Sequence, residues 1–151
     1  MGEIILTSDG ENITSLSLSG QGADLAGAME NTDAPIEAAK KWLAVYFSGD
    51  EPDFMPPIKF IGTAFQKEVW TLLREIPYGK TVSYKSIADK IAWRRGGKMS
   101  AQAVGGAVGK NPVAIMVPCH RVIGTDGSLV GYAGGLDLKR ALLAIEQGKQ
   151  P

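Results

Sequence analysis

The sequence predicts an α+β molecule in which a short strand-and-helix half precedes a mostly helical half. Three observations carry that reading. Two β-prone runs, Ile4–Thr7 and Ile13–Leu18, flank the turn signal Asp9-Gly10. From Asp33 onward, apolar residues recur at helical spacing behind capping residues. The charge also changes sign across the run Glu51–Pro57, whose three prolines preclude regular structure. Residues 1–58 hold ten Asp/Glu against two Lys, a net of −8; residues 59–151 hold fourteen Lys/Arg against six Asp/Glu, a net of +8. A boundary near residue 58 divides the chain into an N-terminal domain, 1–58, and a C-terminal domain, 59–151.

Each element has a local reason. Ile4–Thr7 and Ile13–Leu18 read as strands, and the Gly- and Ala-rich stretch Gly20–Asn31 reads as a loop. A helix starts near Asp33 with Pro35 in its first turn; Ile36, Leu43 and Phe47 follow, and Gly49-Asp50 ends it. Thr63 and Gln66 form a capping box for a helix with Phe65, Val69, Leu72, Leu73 and Ile76 on one face, stopped by Pro77-Tyr78-Gly79. Ser83 caps the next helix, with Tyr84, Ile87, Ala88 and Ile91 inward. Arg94–Lys98 is a basic turn, Ser100 caps a third helix over Ala101–Val108, and Pro112 closes it. Val113–Val117 reads as a short apolar strand. A last helix spans about Leu136–Gln147, with Leu138, Leu142 and Ile145 inward.

Composition narrows the function. An apolar share of 44% over 151 residues suits a buried core and excludes a disordered chain. One Cys and one His exclude an internal disulfide framework and a Cys/His zinc cage, so no metal is expected. No signal peptide is read, and no apolar run nears the ~18 residues of a membrane span. A soluble cytoplasmic protein is the expectation. The zero net charge hides the segregation, and a basic half points to nucleic acid. The helices 84–92 and 101–108 form a helix-turn-helix candidate. The second reads Ala-Gln-Ala-Val-Gly-Gly-Ala-Val, and each helical Gly costs about 1 kcal/mol relative to Ala. Something must approach that backbone closely, either a packed neighbouring helix or a nucleic-acid groove.

The only Cys and the only His are adjacent, in Val117-Pro118-Cys119-His120-Arg121-Val122. A thiol becomes a strong nucleophile once ionised, and a neighbouring imidazole or cation favours ionisation. On a straight strand Cys119 and His120 point to opposite faces, so direct pairing requires a turn or a bridging water. The motif Pro118-Cys119-His120-Arg121-Val122 resembles the active-site signature of the O6-alkylguanine-DNA alkyltransferases, the methylated-DNA–protein-cysteine methyltransferases. Its neighbours agree in order and spacing: Pro77–Tyr84, Ala103–Pro112, Gly131–Gly135 and Leu142–Glu146. The resemblance covers about residues 60–148 strongly and the N-terminal part weakly.

The fold this implies is an RNase H-like N-terminal domain followed by a winged-helix, helix-turn-helix-type C-terminal domain. The implied activity is direct-reversal DNA repair: a damaged guanine is flipped out of double-stranded DNA and its O6-alkyl group moves irreversibly to Cys119. His120 would take the thiol proton through a water, oriented by Glu146. Tyr84 would donate a proton toward the leaving guanine, and Asn111 would hold the turn around the active site. Tyr132, Ala133, Gly134, Val117 and Pro118 would wall the base pocket. Ala101, Gln102, Ala103 and Gly105 would face DNA through the minor groove, which settles the small-residue helix in favour of nucleic acid. Lys80, Lys85, Arg94, Arg95, Lys98 and Lys110 are candidate phosphate contacts. Arg121 is grouped with the DNA-facing set, although its main role is expected to be support of the site. No cofactor and no obligate protein partner are implied, and a monomer is expected.

Two departures from the family pattern stand out. Members usually carry Arg immediately before the Ala-Val pair, as a finger that fills the gap left by the flipped base; here it is Gln102. Gln has no charge and a shorter reach, so weaker DNA binding and slower repair than an Arg version are expected. Members also usually have a further strand before the segment resembling Gly2–Thr7. The sheet is expected to lack that edge strand, unless the natural start lies upstream of Met1. Two competing readings remain. One is a non-catalytic damage-binding module, as in the alkyltransferase-like relatives; these lack the Cys, and Cys119 argues against it. The other is a Cys-His hydrolase, for which no oxyanion-hole motif is present.

Overall fold

In the computed structural model, which describes residues 4–18, 33–129, 131–132 and 135–148, two strand pairs and five α-helices are arranged around one apolar core. The order is β1 (Ile4–Ser8), β2 (Ile13–Leu18), α1 (Ala34–Phe47), α2 (Ala64–Leu73), β3 (Val82–Ser83), α3 (Tyr84–Arg95), α4 (Ala101–Gly109), a 3-10 turn at Cys119–Arg121, β4 (Val122–Ile123) and α5 (Leu136–Glu146). The expected loop Gly20–Asn31 lies outside the described residues.

The N-terminal hairpin pairs β1 with β2 antiparallel, Ile4 opposite Leu18 and Thr7 opposite Ser15. Its turn is longer than Asp9-Gly10 alone. The Asp9 carboxylate accepts from the backbone N–H groups of Glu11 and Asn12, and Gly10 supplies the left-handed φ of +96°. The second edge of β2 is also used. Ile13 N donates to Pro57 O at 2.7 Å and its carbonyl accepts from Lys59 N; Leu16 N donates to Pro112 O at 2.9 Å and its carbonyl accepts from Ala114 N. The far end of the Pro-rich run and the segment leading to Cys119 are thus both seamed to one strand.

Side-chain caps set four of the helix starts. Asp33 accepts from Ile36 N, Thr63 from Gln66 N in a full capping box, Ser83 from Ser86 N and Ser100 from Ala103 N. Helix α5 begins instead at Gly135, φ +99°, with no side-chain cap. The turn between α3 and α4 opens with Gly96 in the left-handed region, and Gly97 N closes it on Ala92 O. Trp70 of α2 ties the helical layer together, its indole N–H donating to Ala107 O of α4 at 2.8 Å.

The expected strand Val113–Val117 is not one. Only Val113 bridges to β2, opposite Leu16, and residues 114–116 turn. Met116 N donates to Ala114 O around Ile115, whose φ is +68°, a rare and strained γ-turn for a β-branched residue. Asn111 explains the turn: its Oδ1 accepts from Val113 N at 3.0 Å and its Nδ2 donates to Val117 O at 2.8 Å. A continuous apolar run buries equally well as strand or as pinned turn, and one side chain decides between them.

Candidate active site

The segment leaving that turn positions the nucleophile. Cys119 N donates to Val117 O across Pro118, whose φ and ψ of −81° and 66° make an inverse γ-turn. Cys119, His120 and Arg121 then form a single 3-10 turn. Successive side chains there are about 120° apart, in place of the 180° of a strand, so neighbouring Cys and His can serve one site. All three side chains are buried, His120 completely.

Glu146, at the end of α5, is the hub behind them. Its Oε2 accepts from His120 Nε2 at 2.5 Å and from the Tyr46 hydroxyl at 2.6 Å. Its Oε1 accepts from Arg121 Nε at 2.7 Å and from Gly79 N at 3.1 Å, and Arg121 Nη2 reaches Oε2 at 3.2 Å. Burial alone would raise the Glu146 pKa; hydrogen bonds from His120, Arg121 and Tyr46 overcome it and hold the carboxyl at about 2. Burial outweighs Glu146 at the imidazole and keeps His120 below its ordinary value, hence neutral near pH 7. With Nε2–H given to Glu146, the lone pair sits on Nδ1, which is buried and has no hydrogen-bond partner among the described residues. That is the arrangement of an oriented base awaiting a proton.

Cys119 opens on a cavity of about 990 Å³ lined also by Tyr84, Gly105, Asn111, Gly131 and Tyr132, and by Ala101 and Gln102 at its rim. Burial pushes the thiol pKa up; the Asn111 amide, the Lys139 ammonium and the Tyr132 hydroxyl pull it partly back. A thiol of that kind stays protonated at neutral pH and needs a base. The Tyr84 hydroxyl meets Gly131 O at 3.5 Å, and burial and the Cys119 charge raise its pKa, so it remains a proton donor. The Tyr132 hydroxyl is buried near the thiol, and burial and the same charge raise its pKa too.

The expected residues divide cleanly. Cys119, His120, Glu146, Tyr84, Asn111 and Tyr132 converge on the cavity or directly behind it. Val117 and Pro118 are buried behind Cys119 and do not line the cavity. Ala133 and Gly134 lie outside the described residues. Ala101, Gln102, Ala103 and Lys98 are exposed at the start of α4 and the turn before it. Gly105 faces the Tyr84 ring, 3.8 Å from where a Cβ would stand, while Gly106 faces open space. Arg95 is spent in part on Glu68, at 2.8 Å, and lies over the Phe65 ring. Arg121 corrects the expectation of a DNA contact. It is buried, and all three guanidinium nitrogens are engaged, two on Glu146 and one on Ile76 O at 2.7 Å.

Sequence reasoning missed two residues. Lys139 is fully buried, donates to Val122 O at 2.6 Å and lies 5.8 Å from the centre of the Tyr84 ring. Tyr46 of α1 is fully buried against Glu146. Neither sits in a local motif, and only the helical period (Lys139 one turn from Leu142, Tyr46 one turn from Leu43) signals an inward face. Among the described residues no group of His, Cys, Asp and Glu could hold a metal ion, and no helix is long and apolar enough to cross a membrane.

A buried, base-backed thiol beside an exposed small-residue helix defines a single-cysteine transfer site of DNA-repair type, and the comparisons agree. Residues 64–148 match the family described as "6-O-methylguanine DNA methyltransferase, DNA binding domain". A methylated-DNA–protein-cysteine methyltransferase of Mycolicibacterium paratuberculosis is 47% identical over 125 residues, 83% of this chain and 73% of the relative. That of Mycobacterium bovis is 50% identical over 72% of this chain, a match spanning 64% of the relative, slightly under two thirds of its length. The crystal structure of the Mycobacterium tuberculosis protein OGT in complex with DNA superposes with a TM-score of 0.83 at 42% identity, covering 98% of this chain and 88% of that one. The chain belongs to the O6-methylguanine-DNA methyltransferase family.

Proposed function

We propose that this protein reverses O6-alkylation of guanine in double-stranded DNA, each molecule acting once. The damaged base leaves the stack and enters the cavity above Cys119. His120 Nδ1 takes the thiol proton through a water. The thiolate sulfur forms a bond to the alkyl carbon as the carbon–O6 bond breaks, and Tyr84 supplies a proton to the departing guanine. The products are a thioether on Cys119 and an unmodified guanine. No second thiol is required, which suits a chain with one Cys. The observation that carries this reading is the thiol at the cavity wall with the His120–Glu146 pair buried behind it.

Several finer features belong to the same proposal. The β1–β2 hairpin with α1 corresponds to an RNase H-like domain, and α3 and α4 to a helix-turn-helix within a winged-helix domain, divided near residue 58. Ala101, Gln102, Ala103 and Gly105 face the minor groove, with Lys98 and Arg95 near phosphates. Arg121 is assigned to the support of Glu146. The protein works in the cytoplasm, and beside the nucleoid where the cell is prokaryotic.

Incubation with a duplex carrying labelled O6-methylguanine, followed by intact-mass measurement, tests the reading. One methyl group on Cys119 per molecule, without turnover, is expected, and Cys119→Ser abolishes transfer while leaving DNA binding. Tight binding without transfer in the unaltered protein overturns it.

A further inference from the structure

Tyr46 lies on the helix of the half that carries no reacting group, and it has no place in the steps above. Its ring stacks on Trp42 with centroids 5.3 Å apart, and meets Phe47, Tyr78 and His120 edge-on. A phenylalanine would fill that space equally well. The hydroxyl must therefore be justified by its partners, because a buried hydroxyl without one costs stability. It donates to Glu146 Oε2 at 2.6 Å and stands 3.4 Å from His120 Nε2. Oε2 is the same oxygen that receives the His120 proton donor.

We propose that Tyr46 is a positioning residue for alkyl transfer: by sharing Glu146 Oε2 with the imidazole, its hydroxyl fixes the ring's aim toward Cys119 and sets how readily the ring takes the thiol proton. The inference rests on the function proposed above. The groups that act on His120 are Glu146 and Lys139 from α5, Arg121 from its own turn and Tyr46 from α1; Tyr78 faces Tyr46 from the segment after α2. Each donor on Oε2 spreads part of the carboxylate charge. Removing the Tyr46 hydroxyl concentrates that charge on His120 Nε2–H and favours the protonated ring. The α1 half thus lowers the basicity of a base held by the other half.

The test uses the full chain as wild type, Tyr46→Phe and Tyr78→Phe. The ring nitrogens of His120, the only His, are titrated by NMR, and the single-turnover rate of methyl transfer is followed against pH with DNA affinity alongside. Tyr46→Phe should raise the His120 midpoint by about one unit. The acid limb of the rate should move with it, slowing transfer about tenfold below that limb. DNA affinity and the Tyr78→Phe profile should stay at the wild-type values. An unchanged His120 midpoint in Tyr46→Phe overturns the proposal. If Tyr46→Phe does not fold, the wild type decides: one tyrosine Cζ signal must shift at the His120 midpoint, and its absence is equally decisive. A wild type that leaves Cys119 unlabelled defeats the function, whereas the His120 titration still reads the coupling.

Discussion

Glu146 accepts hydrogen bonds from His120, Tyr46, Gly79 and two nitrogens of Arg121, and these make its site sensitive to acid. Two shifts act in the same direction. His120 is neutral when folded and its pKa lies below the ordinary value, so the unfolded chain takes up a proton first as pH falls through about 6.5. Glu146 is held at about 2 against a usual 4.5, so its contribution is complete above 4.5 and is lost as pH falls toward 2. In both windows the unfolded state binds more protons, and stability declines with acid. Urea midpoints should drop in two steps with an unchanged slope, the first as pH falls below about 6.5 for His120 and the second between about pH 4.5 and pH 2 for Glu146; a flat midpoint across both windows contradicts the assignment. Glu146 entered only through the family resemblance, whereas Cys119 and His120 were legible in the sequence because the only thiol and the only imidazole share a motif. Tyr46 and Lys139 were not, because nothing local distinguishes a buried phenol or ammonium from any other residue on the inner face of a helix. Arg121 was grouped with the DNA-facing set although support of the site was its expected main role, and the bonds to Glu146 and Ile76 O agree with support.

Helix α4 shows the competition between propensity and use most clearly. Gly105 and Gly106 weaken it by about 1 kcal/mol each relative to Ala. The Ser100 cap and the burial of Val104, Ala107 and Val108 hold it in place. A Cβ at Gly105 would stand in ordinary contact with the Tyr84 ring at 3.8 Å and one at Gly106 would meet nothing, so packing requires neither glycine. Gly106→Ala should therefore raise stability by up to about 1 kcal/mol, seen in thermal unfolding. On the proposed docking of α4 in the minor groove, which a methyl on this exposed position would obstruct, it should also weaken DNA binding. Higher stability with unchanged affinity removes the groove from the explanation. The helix starts were readable from Asp33, Thr63, Ser83 and Ser100, since a cap is a local bond between neighbours. Residues 113–117 were not, because their conformation is set by an Asn111 side chain and a distant strand edge, and the apolar pattern is the same either way.

At the scale of the whole molecule the charge is arranged rather than balanced. The net +8 belongs to the half with Cys119 and α4, and the −8 to the other. Such a distribution steers an acidic polymer toward one side. DNA affinity should fall with salt at a slope of about −0.9 per phosphate neutralised. Lys98→Ala should reduce that slope by about one. An affinity independent of salt, measured on undamaged duplex by anisotropy, would remove phosphate contacts from the picture. The mixed order of strands and helices followed from strand and cap patterns. The seam that joins the halves did not, because a backbone edge carries no side-chain signature.

That seam also dictates a chronology. Leu16 and Val113 are roughly a hundred positions apart, so their pairing closes a long loop and comes late in folding. On the ribosome the hairpin is made early and waits. The turn that presents Cys119 can lock only when its own segment has emerged and found β2, and the base behind the thiol gains its carboxylate only once residue 146 has been added. A chain made only as far as Arg121 therefore carries an unarmed cysteine, and the reagent is completed only when α5 brings Glu146 behind His120.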